Sequence, residues 1–219
     1  MLASVSVIIL CPDERCNLFW QSAHGYLPDG SNRPCDTAAQ INTMKSIRAW
    51  LDSKEKPICF LYGLAEKERS LIAKTIVRNI QSNGQHVVSL FCSRETHYEL
   101  FPILAIQLAY RFPRFRSNLV QVLKNSPSIY DKELPNQMEE LIFNPLQKYQ
   151  IPSMVIVLDR LDQYKDKGEK ILACLDMVKT KIANTKIKIL ITCHLRQCIP
   201  EGFSYPVSIS QDLGLFWIK

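Results

Sequence analysis

Apolar positions follow two alternating patterns along most of the chain. The run at 154–159, Met-Val-Ile-Val-Leu-Asp, contains no polar residue before its aspartate, as in a strand that is buried on both faces of a sheet. Elsewhere apolar residues recur every three or four positions, as at Ile41, Met44 and Ile47, which is the spacing of one face of a helix. Because such strands and helices alternate, we predict an α/β fold in three layers, with a mostly parallel sheet and helices on both faces.

The same patterns give the bounds that we predict for each element. Strands are predicted at 58–62, 86–92, 153–159, 187–193 and, as the last strand of the sheet, 205–210. Helices are predicted at 41–51, 70–80, 98–112, 118–124, 136–149 and 168–183. Asp36 or Thr37 is the expected cap of the first helix, and Pro145 is expected to kink or break the fifth.

Periodicity also divides the chain into segments. Residues 12–36 are rich in Pro, Gly, Asn and Asp and have no sustained period, so we expect 1–36 to be a partly irregular extension. The alternating elements predict one domain over 37–210, and 211–219 is expected to be a tail. This domain has a size typical of a single hydrophobic core.

Composition narrows the class of protein. The chain of 219 residues is 47% hydrophobic and 22% charged, as in ordinary soluble proteins, and no apolar run is long enough to span a membrane. The net charge of +6 allows an anionic partner without requiring one. The eight cysteines lack the two-residue spacing of structural zinc sites, so we expect a reduced, cytoplasmic protein with no cysteine-bound metal.

The loop after the first predicted strand has part of the pattern of a phosphate-binding P-loop. In the frame G-x-x-x-x-G-K-[ST], Gly63 is the first glycine and Ser70 is the hydroxyl residue that binds magnesium. Glu68 takes the place of the second glycine and Arg69 that of the lysine, and Glu66 adds another carboxylate. These changes oppose phosphate binding, because a cradle of backbone amides needs space and positive charge. On its own, the segment is better explained by a plain strand–turn–helix connection.

Two further strands end in polar residues. Asp159 ends the apolar run at 154–159 about ninety residues after the first loop, which is the form of a Walker B strand that holds the water shell of magnesium. A strand-capping aspartate is the alternative. The strand at 187–193 is followed by His194, which is either a loop histidine that faces water or a group near a bound phosphate. The carboxyl ends of parallel strands are where ligands bind in such sheets.

Other segments occur in an order and at a spacing known from one group of proteins. They are Ile47-Arg-Ala-Trp-Leu-Asp52, Phe60-Leu-Tyr-Gly63, Ser89-Leu-Phe-Cys-Ser-Arg94, Ser126-Pro-Ser-Ile-Tyr-Asp-Lys132 and Gln137-Met-Glu-Glu-Leu-Ile-Phe-Asn-Pro-Leu146. With these segments, residues 35–203 resemble the NACHT-type P-loop domain of the STAND class of NTPases. The similarity is greatest to the nephrocystin-like N-terminal domains of multidomain fungal proteins. The resemblance implies a P-loop NTPase-like fold.

The resemblance also implies roles for individual residues. The nucleotide, ATP or GTP, would contact Gly63, Glu68, Arg69, Ser70, Leu71 and His194. Ser70 and Asp159 would hold its Mg²⁺. Gln163 stands at the position of the catalytic glutamate, and a glutamine cannot accept a proton from water at neutral pH. Hydrolysis is therefore not expected.

Four hypotheses about function follow. The first is a degenerate NACHT-like domain, a pseudoenzyme that acts as a regulatory or protein-interaction module through protein partners or self-association, with weak or no nucleotide binding. The second is a slow ATP- or GTP-binding NTPase of the signal-transduction type, in which Arg69 replaces the lysine. The third is nucleic-acid binding through the basic, aromatic segment 111–116, although nucleic acid is not the partner that we expect. The fourth is a truncated relic.

Overall fold

The computed structural model describes eight stretches of the chain, of which one has a gap at 172. They are 35–53, 57–63, 65–92, 100–148, 152–163, 170–175, 185–194 and 214–218. They fall into two compact units where we predict one domain over 37–210. A helical unit holds the residues described between 98 and 151, and a sheet unit holds the remainder.

The sheet unit contains five strands. They are β1 (Ile58–Tyr62), β2 (His86–Phe91), β3 (Met154–Asp159), β4 (Ile187–Thr192) and β5 (Gly214–Ile218). The order across the sheet is β2-β3-β4-β1-β5, and the first four strands are parallel to one another. This arrangement confirms the predicted α/β fold with a mostly parallel sheet. The further strand predicted at 205–210 lies outside the described residues.

Strand β5 lies within the segment that we predict to be a tail, 211–219. It pairs antiparallel with β1, with Ile218 opposite Ile58 and Phe216 opposite Phe60. The backbone groups along the open side of β1 need hydrogen-bond partners, and the apolar run Gly-Leu-Phe-Trp-Ile has the aromatic and branched residues that favour a strand. Residues 214–218 of the predicted tail are thus the edge strand of the sheet beside β1.

Two long helices belong to the sheet unit. Helix α1 (Ala38–Asp52) begins with a capping box, in which the Thr37 hydroxyl accepts a hydrogen bond from the Gln40 amide at 3.2 Å. This finding confirms the first predicted helix and selects Thr37 as its cap. Helix α2 (Glu66–Ser82) begins four residues before the predicted start at Ser70, and Gly84 follows it with φ of 70°.

Both faces of the sheet are buried. On one face, α1 and α2 contribute Ile47, Trp50, Ile72, Ala73, Ile76, Val77 and Ile80 to a core with Cys59, Leu61, Val87, Val155, Val157 and Leu190. On the other face, Ile58 and Phe60 are almost completely buried as well. The alternation of side chains along a strand places these two sets on opposite faces. Burial on both faces explains why the strands read as continuous apolar runs.

The helical unit consists of helices and short helical turns. They are α3 (Leu100–Arg111), α4 (Pro113–Asn125), a 3₁₀ turn (Ile129–Asp131), α5 (Leu134–Met138), a π-helical turn (Glu139–Phe143) and α6 (Asn144–Gln147). Helix α4 begins five residues before the predicted start at Asn118, because Pro113 occupies its first turn, where no amide is needed. Pro145 lies in the first turn of α6, directly after the π-helical turn, and the chain is helical on both sides of Asn144. A kink at Pro145 stays a prediction.

The remaining predictions agree with the structure as far as it describes them. Strand β2 ends at Phe91, one residue before the predicted end, and α3 matches the predicted helix over 98–112 within its described part. Of the helix predicted at 168–183, residues 170–171 and 173–175 are described and helical. None of the described helices has the length and apolar character needed to cross a membrane.

Candidate functional site

Three strand ends meet at the carboxyl edge of the sheet. Strand β4 pairs with β1 on one side and with β3 on the other, so the chain segments after these strands are neighbours. Gly63 follows β1 with φ of 91°, a conformation that favours glycine, and leads into α2. Asp159 is the last residue of β3 and Thr192 the last residue of β4. A candidate site therefore lies at the edge where parallel sheets bind ligands.

The side chain of Asp159 is the centre of this edge. It is fully buried, and both of its oxygens accept hydrogen bonds. The Ser70 hydroxyl donates to Oδ2 at 2.6 Å, and the Thr192 hydroxyl donates to Oδ1 at 2.6 Å. Burial raises the pKa of Asp159, while these two hydrogen bonds and the nearby Arg160 and Arg69 act in the opposite direction. The two hydroxyl donors thus connect α2 and β4 to the end of β3.

Arg160 links the end of β3 to the first turn of α2. Its backbone lies in the left-handed region with φ of 57°, and its amide donates to the Thr192 hydroxyl at 2.9 Å. Its Nη1 donates to Oε1 of Glu66 at 2.7 Å, and its Nε lies 3.5 Å from Oδ2 of Asp159. The hydrogen bond from Arg160 lowers the pKa of Glu66. A left-handed arginine is uncommon, and here it directs the guanidinium toward two carboxylates.

The amides described at the start of α2 do not form a phosphate cradle. Because α2 begins at Glu66, the amides of Glu68 and Arg69 donate to the carbonyl of Ala65 at 2.9 and 3.1 Å. A cradle requires such amides to point at the anion. Glu66 and Glu68 instead place two carboxylates in the first turn, where they interact favourably with the positive end of the helix.

The position of the Arg69 side chain is the second departure from a phosphate site. This side chain is 1% exposed, so its guanidinium lies in the interior of the protein and not at the surface of the loop. The P-loop lysine must reach the phosphates of a bound nucleotide. The residues present therefore do not fit the phosphates of ATP or GTP in this arrangement.

The residues that would hold magnesium fit their ligand better than the loop fits phosphate. The hydroxyl of Ser70 and the carboxylate of Asp159 are hard oxygen donors, which are the ligands that Mg²⁺ prefers, and they are adjacent. No group of three or more acidic, histidine or cysteine side chains suited to a metal occurs in the part of the chain that the structure describes. The two residues would need the phosphates and water to complete a magnesium shell.

The other predicted site residues take different positions. Gln163 ends a 3₁₀ turn after β3 (Leu161–Gln163), and its side chain hydrogen-bonds to Glu66. Leu71 and Glu68 are half-buried on α2, and His194 is exposed just beyond β4. The structure thus brings Gln163 to the pair formed by Arg160 and Glu66. It leaves the side chain of His194 in solvent.

Sequence reasoning overlooked three residues of this edge. Thr192 and Arg160 contact Asp159 directly, and both follow apolar runs at positions where polar residues stand out. Lys74 lies one helical turn after Ser70, with its Nζ 6.0 Å from the centre of the Phe91 ring. Burial lowers the pKa of Lys74, and the charge of Asp159 raises it. The spacing of four residues on a helix is the signal that could have found Lys74.

Comparison with known families gives a decisive match. The model of the family described as "Nephrocystin 3, N-terminal" matches residues 36–194, which is more than half of the chain. The chain belongs to the nephrocystin 3 N-terminal family. The match includes α1, the strands β1 to β4 and the edge described above. It confirms the predicted resemblance to nephrocystin-like domains and, with the strand order, the predicted fold class.

Similarity to other proteins is slight. Among curated proteins, none matches the chain significantly. Among solved structures, the Orc1 protein of Aeropyrum pernix, determined in complex with DNA, has 15% sequence identity and a TM-score of 0.42. The match covers 87% of this chain but 43% of that protein. A likeness at this level carries no conclusion about the ligands or partners of this nephrocystin 3 N-terminal family member.

Proposed function

We propose that this chain is a non-hydrolysing member of its family, a degenerate NACHT-type domain of the STAND class that acts as a regulatory or protein-interaction module. One observation carries the proposal. The amides of Glu68 and Arg69, which a P-loop would direct at phosphate, are hydrogen-bonded to the carbonyl of Ala65. Nucleotide binding is therefore weak or absent.

The cost of restoring a cradle can be approximated. Phosphate binding requires the first turn of α2 to open, which breaks two backbone hydrogen bonds. At about 1 kcal/mol each, this loss weakens binding by roughly thirtyfold. The carboxylates of Glu66 and Glu68 would then stand beside an anionic ligand. The repulsion of like charges adds to the cost.

The residue at the catalytic position supports the absence of hydrolysis. A catalytic glutamate would accept a proton from the attacking water, whereas the amide of Gln163 can only position that water. In addition, the Gln163 side chain hydrogen-bonds to Glu66, which itself pairs with Arg160. These contacts hold Gln163 to other protein groups.

A variant that restores the P-loop pattern tests the proposal. We expect that adding the purified wild-type chain leaves the fluorescence anisotropy of a labelled ATP unchanged in the presence of magnesium. The double variant Glu68→Gly and Arg69→Lys should bind the same probe, because it regains an amide cradle and a compact cation. Adding Ser70→Ala to the double variant is the matched control and should reduce that binding. Magnesium-dependent binding by the wild-type chain would refute the proposal.

The alternative function is a slow NTPase. The contact between Ser70 and Asp159 favours it, since these two residues would hold the magnesium, and the ammonium of Lys74 lies close enough to Asp159 to interact with its charge. The alternative predicts release of phosphate from ATP or GTP at a rate above that of the variant Asp159→Ala. Equal rates for the two proteins would exclude it.

We propose that the module binds another protein or a second copy of the chain. We do not propose that it binds nucleic acid. The segment 111–116 has interleaved aromatic residues, but Phe112 and Phe115 are buried in the helical unit, at 4% and 0% exposure. Buried rings cannot stack on bases. A salt-sensitive affinity of the chain for single-stranded DNA would contradict this part of the proposal.

A further inference from the structure

The sheet unit has a groove at the opposite end of its strands from Asp159. It lies between α1 and α2, beside the amino ends of β2, β3 and β4, and encloses about 490 Å³. Its floor is apolar and is formed by core residues, Ile76 and Ile80 of α2 and Val155 of β3. A volume of this size accommodates several apolar side chains or a small ligand.

One wall of the groove is a face of α1 that combines apolar and basic residues. Ile41, Met44, Lys45 and Arg48 all line it, and their spacing of three and four residues places them on one side of the helix. Ile41 is 41% exposed and is one of two large hydrophobic side chains classed as exposed among the described residues. Lys45 and Arg48 are exposed too, and neither makes an ion pair with any residue that the structure describes.

The opposite wall carries no charge. It consists of Thr75, Asn79 and Asn83, which follow one another at intervals of four residues on α2. Asp52 is the acidic residue of the lining, at the end of α1. The groove thus has an apolar floor, a basic wall and a neutral, hydrogen-bonding wall.

Another basic residue of the lining, Lys188 on β4, has a structural role. Its Nζ donates to the carbonyl of Trp50 at 2.7 Å and to the hydroxyl of Ser53 at 3.1 Å, and lies 5.1 Å from the centre of the Trp50 ring. It therefore caps the carboxyl end of α1 and holds that wall against the sheet.

We propose that this groove binds an acidic amphipathic helix of a partner protein. The apolar face of that helix would cover Ile41 and the partly exposed Met44 above the floor, and its carboxylates would face Lys45 and Arg48. A groove between two helices, with an apolar floor, is a site of the kind in which amphipathic helices are commonly bound. The basic wall selects an acidic partner because complementary charge favours association and like charge opposes it. The inference deepens the proposed interaction module by naming its surface and the chemistry of its partner.

Selection from a library of displayed peptides tests this inference without a known partner. Random 16-residue peptides are selected on the wild-type chain, and the enriched peptides are synthesised with a fluorescent label. We expect them to combine apolar residues at helical spacing with Glu or Asp. Their affinity, measured by fluorescence anisotropy, should fall about tenfold or more for the variant with Lys45→Glu and Arg48→Glu, and should weaken as salt is added.

Two further variants make the test specific. Lys124→Glu with Lys170→Glu reverses the same number of exposed charges at residues that do not line the groove, and should leave the affinity unchanged. Ile41→Asp should reduce the affinity, because it places a charge on the apolar side of the groove. The inference is overturned if no peptide is enriched, if the enriched peptides lack acidic residues, or if the variant at Lys45 and Arg48 binds them like the wild type. Nucleotide binding by the wild type would refute the proposed function but not this result, since the groove is at the other end of the strands.

Discussion

Thr192 and Ser70 give Asp159 its environment at the carboxyl edge of the sheet. A buried carboxylate is costly unless hydrogen bonds compensate for the lost water, and here two hydroxyls supply them. Thr192 also accepts the amide of Arg160, so one side chain connects β4 with both residues at the end of β3. These hydrogen bonds therefore form one connected polar network at the carboxyl edge of an otherwise apolar sheet.

Removal of the Thr192 hydroxyl should destabilise the protein. Thr192→Val keeps the shape of the side chain but removes the hydrogen bond to Oδ1 of Asp159 and the acceptor of the Arg160 amide. We expect the free energy of unfolding to fall by about 1–3 kcal/mol, as measured by chemical denaturation. Thr192→Ser retains the hydroxyl and should lose less. Equal losses for the two variants would show that the hydroxyl has no role.

The raised pKa of Asp159 predicts a dependence of stability on pH. Because burial raises this pKa in the folded state, the folded protein binds a proton more readily than the unfolded chain. The contribution of Asp159 to stability is therefore complete below its unfolded pKa, near 3.8, and is lost as pH rises through the higher folded pKa. The variant Asp159→Asn is the reference, because its side chain does not titrate.

Denaturation of both proteins over a range of pH measures this contribution. As pH falls from 7 toward 4, the stability of the wild type should rise relative to that of Asp159→Asn. A difference in unfolding free energy that stays constant, or that changes in the opposite direction, would contradict the raised pKa.

Among the elements, the buried strands were the most predictable. Strand β1 matches its predicted bounds because Pro57 and Gly63 enclose a short apolar run. The start of α2 was not predictable in the same way, because the frame of a P-loop places the first helical residue at Ser70. The early start depends on the carbonyl of Ala65, and sequence patterns give no information about such a contact. Strand β5 depends on pairing with β1, a long-range contact that local patterns do not encode.

In the candidate site, too, some contacts could be predicted from the sequence and others could not. The proximity of Ser70 and Asp159 was predictable from the P-loop frame, because both residues follow the carboxyl ends of parallel strands in one sheet. The contact between Arg160 and Glu66 was not, because it depends on the left-handed backbone at Arg160. A single sequence does not reveal which non-glycine residue adopts that conformation.

The capping box of α1 provides a prediction at the scale of an element. Thr37→Ala removes the hydroxyl that accepts the Gln40 amide, and should lower the free energy of unfolding by about 1 kcal/mol. Thr37→Ser keeps the acceptor and is the matched control. Helix α1 also forms the basic wall of the groove. If Thr37→Ala and the wild type had equal free energies of unfolding in chemical denaturation, the capping role of Thr37 would be contradicted.

For the whole molecule, the proposal rests on a contrast between the fold and the candidate nucleotide site. The sheet is mostly parallel, and the carboxylate of Asp159 lies beside the Ser70 hydroxyl at its carboxyl edge. The amides and the cation that would hold phosphate have been redirected to the protein itself. This contrast is the basis for proposing an interaction module.

Isothermal calorimetry of the wild-type chain with ATP, ADP and GTP, with and without magnesium, tests that proposal most directly. We predict no heat of binding at millimolar nucleotide from a sample shown to be folded. Micromolar binding that requires magnesium and disappears in Ser70→Ala or Asp159→Ala would contradict the account. It would show that the first turn of α2 opens to form a cradle.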